Sequence, residues 1–373
     1  MPVKYIDVAA KSDLFVAATR AYGDIAIVGD ATSGTVNSPV AFTDPATAAA
    51  ATGLPGDVGN AISMAFQQSP GPSKVWGVRI DNANTAAEPN GKWGLALAEV
   101  AKLQVQIVAL ANVSIPVTGS TGNASAIAQL LAHVSSLSGA GGGDGKERIG
   151  VAMLPSTSVD VNQVSASDRM VYVAHRATKV AITDPEPDAA AAVAGVIAGY
   201  EPHISMLLKP VNIHQMTNFA DADIDTLNTR GINWLVDPTL IPGAGIYMGE
   251  GYTGDPGSTK KYIDIVRTLD DITFRIKAEL IQAIGNFRVS RSGLRALVTI
   301  TQAVLAPLQA REVIEGFTVY IPLLVLLDKD PTTLTPAELQ QIQTAQANRR
   351  VDMTVLCEYA GAIHRLHIDL IFK

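Results

Sequence analysis

Between residues 24 and 200 the chain alternates short apolar runs with segments of helical spacing, and this alternation restricts the fold more than any other feature. Candidate strands occupy 24–29, 73–80, 105–111, 148–154 and 179–183, each rich in valine and isoleucine and bounded by glycine, proline, asparagine or aspartate. Helical spacing marks 59–67, 92–103, 123–137, 166–174 and 188–199. Parallel strands need crossover connections, and near-continuous apolar strands need cover on both faces. The expected fold class is therefore α/β, a mostly parallel sheet with helices on both faces. Two polar stretches interrupt the pattern, 82–91 and the glycine-rich 138–146, and both are expected to face solvent.

After Pro210 the pattern changes to a turn-rich stretch, a long helix over 260–284 and a second over 290–308. The 349–373 tail then alternates: Val351, Met353 and Val355 share one face, and 363–372 is one extended segment. A strand-like piece also opens the chain at 3–9. These features predict four parts: an N-terminal arm (1–22), the α/β domain (23–200), a C-terminal α+β domain (201–350) and a C-terminal strand arm (351–373).

Composition narrows the class. At 373 residues, with 47% hydrophobic and 17% charged, the chain suits about two globular domains. Its longest apolar stretch, 319–327, is broken by Pro322 and falls far short of the roughly 18 residues of a membrane span. Asp7 stands where an export signal would continue an apolar region, so no cleavable leader is expected. The single cysteine, Cys357, lies in Val355-Leu356-Cys357 and is expected as a small buried hydrophobe. A net charge of −7 argues against nucleic-acid binding. Residues 260–295 nevertheless hold eight basic side chains against four acidic ones, a local +4 that leaves −11 for the remainder.

The motifs that could carry chemistry each lack a required residue. Gly29-Asp30-Ala31-Thr32-Ser33-Gly34-Thr35 has phosphate-loop glycines, but Thr35 replaces the lysine and Pro39 soon blocks a helix. Lys146 follows Gly145 but precedes Glu147 instead of Ser or Thr. Asp221, Asp223 and Asp225 have calcium-loop spacing, yet Thr226 and Ile232 stand where glycine and a bidentate glutamate belong, so a solvated turn is expected. The six histidines show no zinc-site spacing, and on a strand His364 and His367 would face opposite ways. With no Gly-x-Ser-x-Gly elbow either, no catalytic residue, cofactor or metal site is expected.

Several pieces, in order, resemble the contractile tail sheath proteins of phages, R-type pyocins and related injection systems. They are Ala194-Gly195-Val196-Ile197-Ala198-Gly199, the polar stretch 223–235 with its Leu227-Asn228 and Gly231-Ile232-Asn233, the tyrosine-led helix at 262–275 with an arginine inside, the helix at 291–308, and the strand-rich terminus. The resemblance covers roughly 193–373. It implies a structural, non-catalytic subunit that needs no cofactor, stacks as rings around an inner tail tube and contracts to drive the tube through a cell envelope. It further implies terminal strands that cross into neighbouring copies, with Val3, Tyr5, Ile6 and Val8 in the first arm and Ile363, Leu366, Ile368, Leu370 and Phe372 in the last. Such pairing suits two strand-like ends that no hairpin partner adjoins. The basic strip, represented by Lys277, Arg288, Arg291 and Arg295, is the expected contact with an acidic tube. The implied partners are further copies, the tail tube protein, and baseplate and tail terminator proteins, in a virion tail assembled in the host cytoplasm, with no direct nucleic acid and no membrane insertion. A tube or baseplate subunit and an α/β enzyme of unknown substrate remain the alternatives.

Overall fold

A computed structural model describes residues 22–50, 53–81, 91–119, 124–139, 145–243 and 245–364. They fall into two compact units, a large one running to Asp271 and rejoined by 361–364, and a small one spanning 272–360. The expected boundary near residue 200 is thus corrected to one inside a helix, because the sheet of the large unit continues beyond 200.

In the large unit, strands β1 (Ile25–Gly29), β2 (Val40–Phe42), β3 (Val75–Arg79), β4 (Ile107–Ser114), β5 (Ile149–Met153), β6 (Met170–Ala174), β7 (Pro210–Val211), β8 (Asn233–Val236) and β9 (Ile246–Met248) form one sheet of order β2-β3-β1-β4-β5-β6-β8-β9-β7. The run β3-β1-β4-β5-β6-β8 is parallel, and β2, β9 and β7 add antiparallel edges. β1, β5 and β6 are buried at every position, as double-sided cover demands. Successive residues serve opposite faces. Ile25 and Ile27 pack with α2 (Asp57–Phe66) and α5 (Ala189–Gly199), whereas Ala26 and Val28 pack with α3 (Gly91–Val100) and α4 (Ala124–Ser138). Two short helices, α1 (Pro45–Ala49) and α6 (Asp221–Thr229), complete this unit up to the start of α7 (Ile263–Ala283).

Two local expectations are overturned. Residues 166–174 contain strand β6 in place of a helix, because Met170-Val171-Tyr172-Val173-Ala174 is a short continuous apolar run that periodicity alone cannot assign. Residues 179–183 form an exposed turn in place of a strand; Val180 and Ile182 are 75% and 96% exposed, and Asp184 Oδ2 accepts the Ala181 N–H at 2.7 Å.

Helix α5 is buried along almost its whole length, and its alanines and Gly195 let it lie close to α2. A Cβ on Gly195 would stand 2.4 Å from the Ala65 carbonyl oxygen and 2.9 Å from Ala65 Cα, both rigid backbone. Gly195→Val should therefore lower the unfolding free energy by about 1–3 kcal/mol, the usual cost of overpacking, read as a lower urea midpoint. An unchanged midpoint would mean that the two helices part freely.

The small unit holds the end of α7, α8 (Arg291–Ala310), β10 (Ile314–Tyr320), α9 (Pro322–Asp328), α10 (Pro336–Asn348) and β11 (Thr354–Tyr359). Ser290 caps α8 by accepting the Gly293 N–H, and Thr335 with Glu338 forms a capping box on α10. Its apolar centres are Ile272, Leu305, Leu308, Val313 and Ile314, and Leu294, Ile321, Leu323 and Ile342. Strands β10 and β11 pair antiparallel with each other alone among the described residues, leaving one open edge on each. Cys357 is exposed on β11, not buried as expected: it shares a ladder face with Val355 and Phe317, but that face is itself only partly covered.

Candidate functional site

The polar stretch at 223–235 is a helix followed by a strand, correcting the expected turn: Asp221, Asp223 and Asp225 lie in α6, the first two in its opening turn, where the helix dipole favours acids. Leu227 and Ile232 are fully buried. Gly231 has φ +68°, and a Cβ there would press within 2.9 Å of the Thr253 carbonyl oxygen. Asn228 Oδ1 accepts the Tyr252 hydroxyl at 2.8 Å. Asn233, wholly buried, donates through Nδ2 to the carbonyls of Tyr172 (3.1 Å) and Tyr252 (2.9 Å), while its Oδ1 accepts the Tyr252 N–H at 2.6 Å. The two asparagines therefore pin the 249–254 loop to β6 and β8.

That loop reads Gly249-Glu250-Gly251-Tyr252-Thr253-Gly254. A Cβ at Gly249 would fall 2.2 Å from Trp234 Nε1, and one at Gly254 2.3 Å from Tyr172 Cε2, so both glycines permit close passage. The loop also pairs with the start of α7: Thr253 N–H donates to Lys261 O (2.8 Å) and Ile263 N–H to Gly251 O (2.9 Å). Arg267, the arginine inside the helix, is buried and donates to the carbonyls of Tyr200 (2.9 Å) and Tyr22 (3.2 Å). Burial pushes its guanidinium down to about 10, while Tyr22, Asp271, Asp264 and Asp270 oppose the fall and keep it charged near neutrality. Asp270 also meets Arg169 at 2.6 Å in a buried ion pair.

The last described residue converges on this corner. His364 Nδ1 lies 3.0 Å from Glu250 Oε2, and its Nε2 lies 2.8 Å from Ser205 Oγ, which also accepts the Leu207 N–H at 3.2 Å. Its ring stands 4.5 Å from that of Tyr262, which in turn is 5.5 Å from Tyr252. The His364 and Glu250 side chains are only 8% and 7% exposed, yet the adjoining Ile363 is 82% exposed. One side chain thus grips a segment, 361–364, whose other described residues are exposed. Serine, histidine and glutamate have the spacing of an acyl-transfer relay. Here Glu250 can accept a hydrogen bond from Nδ1–H and Ser205 can donate to Nε2, which satisfies both ring nitrogens and locks the ring's orientation.

In open α/β sheets, ligands bind where neighbouring crossovers diverge, here beyond the ends of β1 and β4. The chain's own groups fill that position. Asp188 caps α5 and accepts the N–H groups of Ala191 and Asn112, each at 2.8 Å, with Asn112 at φ +53°. Burial raises Asp188, against the pull of those N–H groups, and it also raises Asp57 at the start of α2. The glycine loop after β1 is likewise occupied: Thr32 N–H donates to Pro55 O, the Gly34 carbonyl accepts Arg79, and Leu54 fills the space beside Gly34. A crevice walled by the buried Asp188 and the half-buried Asp57 is a poor seat for a phosphate. Among the described residues, no three His, Cys, Asp or Glu side chains converge as a metal site.

No protein-family model and no curated protein matches the sequence. Solved structures do match the fold. The anti-feeding prophage helical sheath in its contracted state superposes with a TM-score of 0.67 at 15% identity, over 100% of this chain and 98% of that one. The PVC sheath complex of an extracellular contractile injection system, also contracted, gives 0.67 at 12% identity over 100% and 99%. The chain has the contractile-sheath fold. The crystal structure of a sheath tail protein from Listeria innocua is similar at 0.58 and 10% identity, over 92% and 96%.

Within this sheath fold the residues singled out from the sequence are scattered. Val3, Tyr5, Ile6, Val8, Leu366, Ile368, Leu370 and Phe372 lie outside the described residues, and Ile363 is exposed in irregular chain. Lys277 is exposed on α7, and Arg288 is exposed in the α7–α8 connection. Arg291 and Arg295 share Asp328 Oδ1 at 2.9 and 3.0 Å, and Arg291 also donates to Leu327 O. The expected strip is not continuous, since Arg267 is buried and Lys260 faces Asp168 at 3.4 Å. Sequence reasoning missed Ser205, Glu250 and the holding role of His364. The one available signal was the triple-glycine run around Glu250, which marks close passage of backbone.

Proposed function

We propose that this chain is the structural subunit of a contractile, phage-type tail sheath, stacking as rings around an inner tail tube and shortening to drive the tube through a target envelope. The observation that carries this reading is the superposition on contractile sheaths end to end, with nearly the whole of each chain covered both ways. Among the described residues the two-stranded sheet of β10 and β11 has one unpaired edge on each strand, of the kind a strand from another copy can extend. The terminal segments with Val3, Tyr5, Ile6 and Val8, and with Ile363, Leu366, Ile368, Leu370 and Phe372, are the proposed donors. Tube, baseplate and terminator proteins are the proposed partners, in a virion tail assembled in the host cytoplasm, and the subunit is proposed to be non-catalytic. No helix among the described residues is long and apolar enough to cross a membrane.

Electron microscopy of the purified protein, without nucleotide or metal, tests the reading directly. Hollow tubes are expected. Protein that stays monomeric at high concentration, alone and with isolated tail tubes, would remove the sheath function.

Lys277, Arg288, Arg291 and Arg295 are proposed to face the tube. The double substitution Lys277→Glu and Arg288→Glu, at two exposed positions, is the probe. Exposed pairs contribute only about 0.2–1 kcal/mol each, so an effect on tube decoration has to accumulate over many subunits on one cylinder. Raising salt from about 0.1 to 1 M should weaken decoration in the same way, since the screening length falls from roughly 10 to 3 Å. If the double variant decorates tubes as the wild type does and salt has no effect, these residues form an ordinary solvated face.

A further inference from the structure

We propose that Ser205, Glu250, Tyr262 and His364 form a clasp that fixes the point from which the C-terminal arm leaves its own subunit. The proposal rests on the sheath reading for what the arm does next, and on geometry alone for the clasp itself. The chain passes from the large unit to the small one inside α7, then returns to the large unit at Gly361. Within the returning segment, His364 is held by a carboxylate at 3.0 Å, a hydroxyl at 2.8 Å and an aromatic face at 4.5 Å. Ile363, immediately before it, is open to solvent. Within the described segment 361–364 His364 is thus the one held residue, since the three before it are exposed.

The receiving side is built to stay still. Glu250 lies between Gly249 and Gly251 on the loop that Asn233 ties to β6 and β8, and Tyr262 lies just before the first turn of α7, beside Tyr252. Lys261 stands over both tyrosine rings, 4.8 Å from the centre of Tyr252 and 5.7 Å from that of Tyr262. The clasp therefore transmits the position of the large unit to the root of the arm. A free-swinging arm would search a large volume before meeting the sheet of a second copy. An arm rooted at His364 begins that search with its first residue already placed, and the ordering cost of pairing falls accordingly. During contraction the same root would let the strand connection pivot without sliding.

His364 is a positioning residue in this scheme, and its test is local. Trypsin cleaves after Arg365, next to the clasp, and after Arg350, which serves as an internal reference in the same chain. Cleavage follows the population of locally opened chain when opening is fast. In the dilute, unassembled full-length protein, His364→Ala should speed cleavage after Arg365 by about ten- to a hundredfold, the range for losing a hydrogen bond to a charged group. Glu250→Gln should give a smaller rise in the same direction, and cleavage after Arg350 should not change in either variant. The critical concentration for tube formation should rise for His364→Ala and recover in part in His364→Gln, which restores a polar group near Ser205.

Equal cleavage after Arg365 in wild type and His364→Ala would overturn the clasp. Faster cleavage with an unchanged critical concentration would overturn its role in assembly. A wild-type protein that forms no tubes refutes the sheath reading instead, and the cleavage comparison still decides the clasp. Capture of a fluorophosphonate by Ser205, lost in His364→Ala, would replace the anchor by an activated serine.

Discussion

A chain ending at His364 is expected to fold normally and to form no tubes. The described large unit contains its own nine-stranded sheet and two-sided core, all of which precede the deleted residues 365–373. Terminal segments tolerate removal unless their backbone is tied down, so a selective loss of assembly would show that the missing hydrogen bonds were made to another copy. Keeping His364 separates the arm from its clasp. The same outcome is expected on removing residues 1–10, the other proposed donor. Circular dichroism and urea unfolding check folding, and electron microscopy at a concentration where the wild type polymerises checks assembly. Tubes of normal diameter from either truncated protein would exclude strand exchange as the linkage.

The second large effect is expected at Asn233. Its side chain satisfies three backbone groups, the carbonyls of Tyr172 and Tyr252 and the N–H of Tyr252, and it has no exposure to water. In Asn233→Ala these groups lose their shared partner in a site with little room for solvent, at about 1–3 kcal/mol each. Relaxation will recover part of this, so a loss of about 3–5 kcal/mol is expected, against a total stability of roughly 5–15 kcal/mol for a typical domain. Asn233→Asp should be no better at neutral pH, because a carboxylate can accept the Tyr252 N–H but cannot donate to either carbonyl, and its charge is buried. A drop in unfolding free energy below about 1 kcal/mol for the alanine variant would show that the loop is held by other means. Tryptophan fluorescence offers a local readout as well, since Gly249 passes against the Trp234 indole.

The motif that suggested a sheath is thus largely a folding device. Asn228, Gly231 and Asn233 each solve a local problem, namely a buried tyrosine hydroxyl, a left-handed turn against a carbonyl, and an unpaired stretch of backbone beside β8. Arg267 likewise stitches Tyr22 and Tyr200 to α7. A resemblance carried by such residues reports the fold. The chemistry of assembly has to be argued from the segments and charges that the fold leaves available.

What the sequence determined by itself was whatever depends on neighbours along the chain. The strands β1, β3, β4 and β5 and the helices α2, α3, α4, α5, α7 and α8 were legible because a period of 3.6 or a run of valine and isoleucine acts over a few residues. That the phosphate-loop and calcium-loop patterns each lack a residue at a fixed spacing was legible for the same reason. Segments 166–174 and 179–183 were misread because a short apolar run has no intrinsic state: burial between β5 and β8 makes the first a strand, and solvent on Val180 and Ile182 leaves the second a turn. Tertiary structure alone decided the rest. It placed the division of the chain inside α7 at Asp271, paired Arg291 and Arg295 with Asp328, and brought Ser205, Glu250 and His364 together across 159 and 114 positions of sequence. Hydrogen bonds and ion pairs reach only about 3 Å, so which distant polar groups meet is settled by how the apolar layers stack, and no local pattern records it.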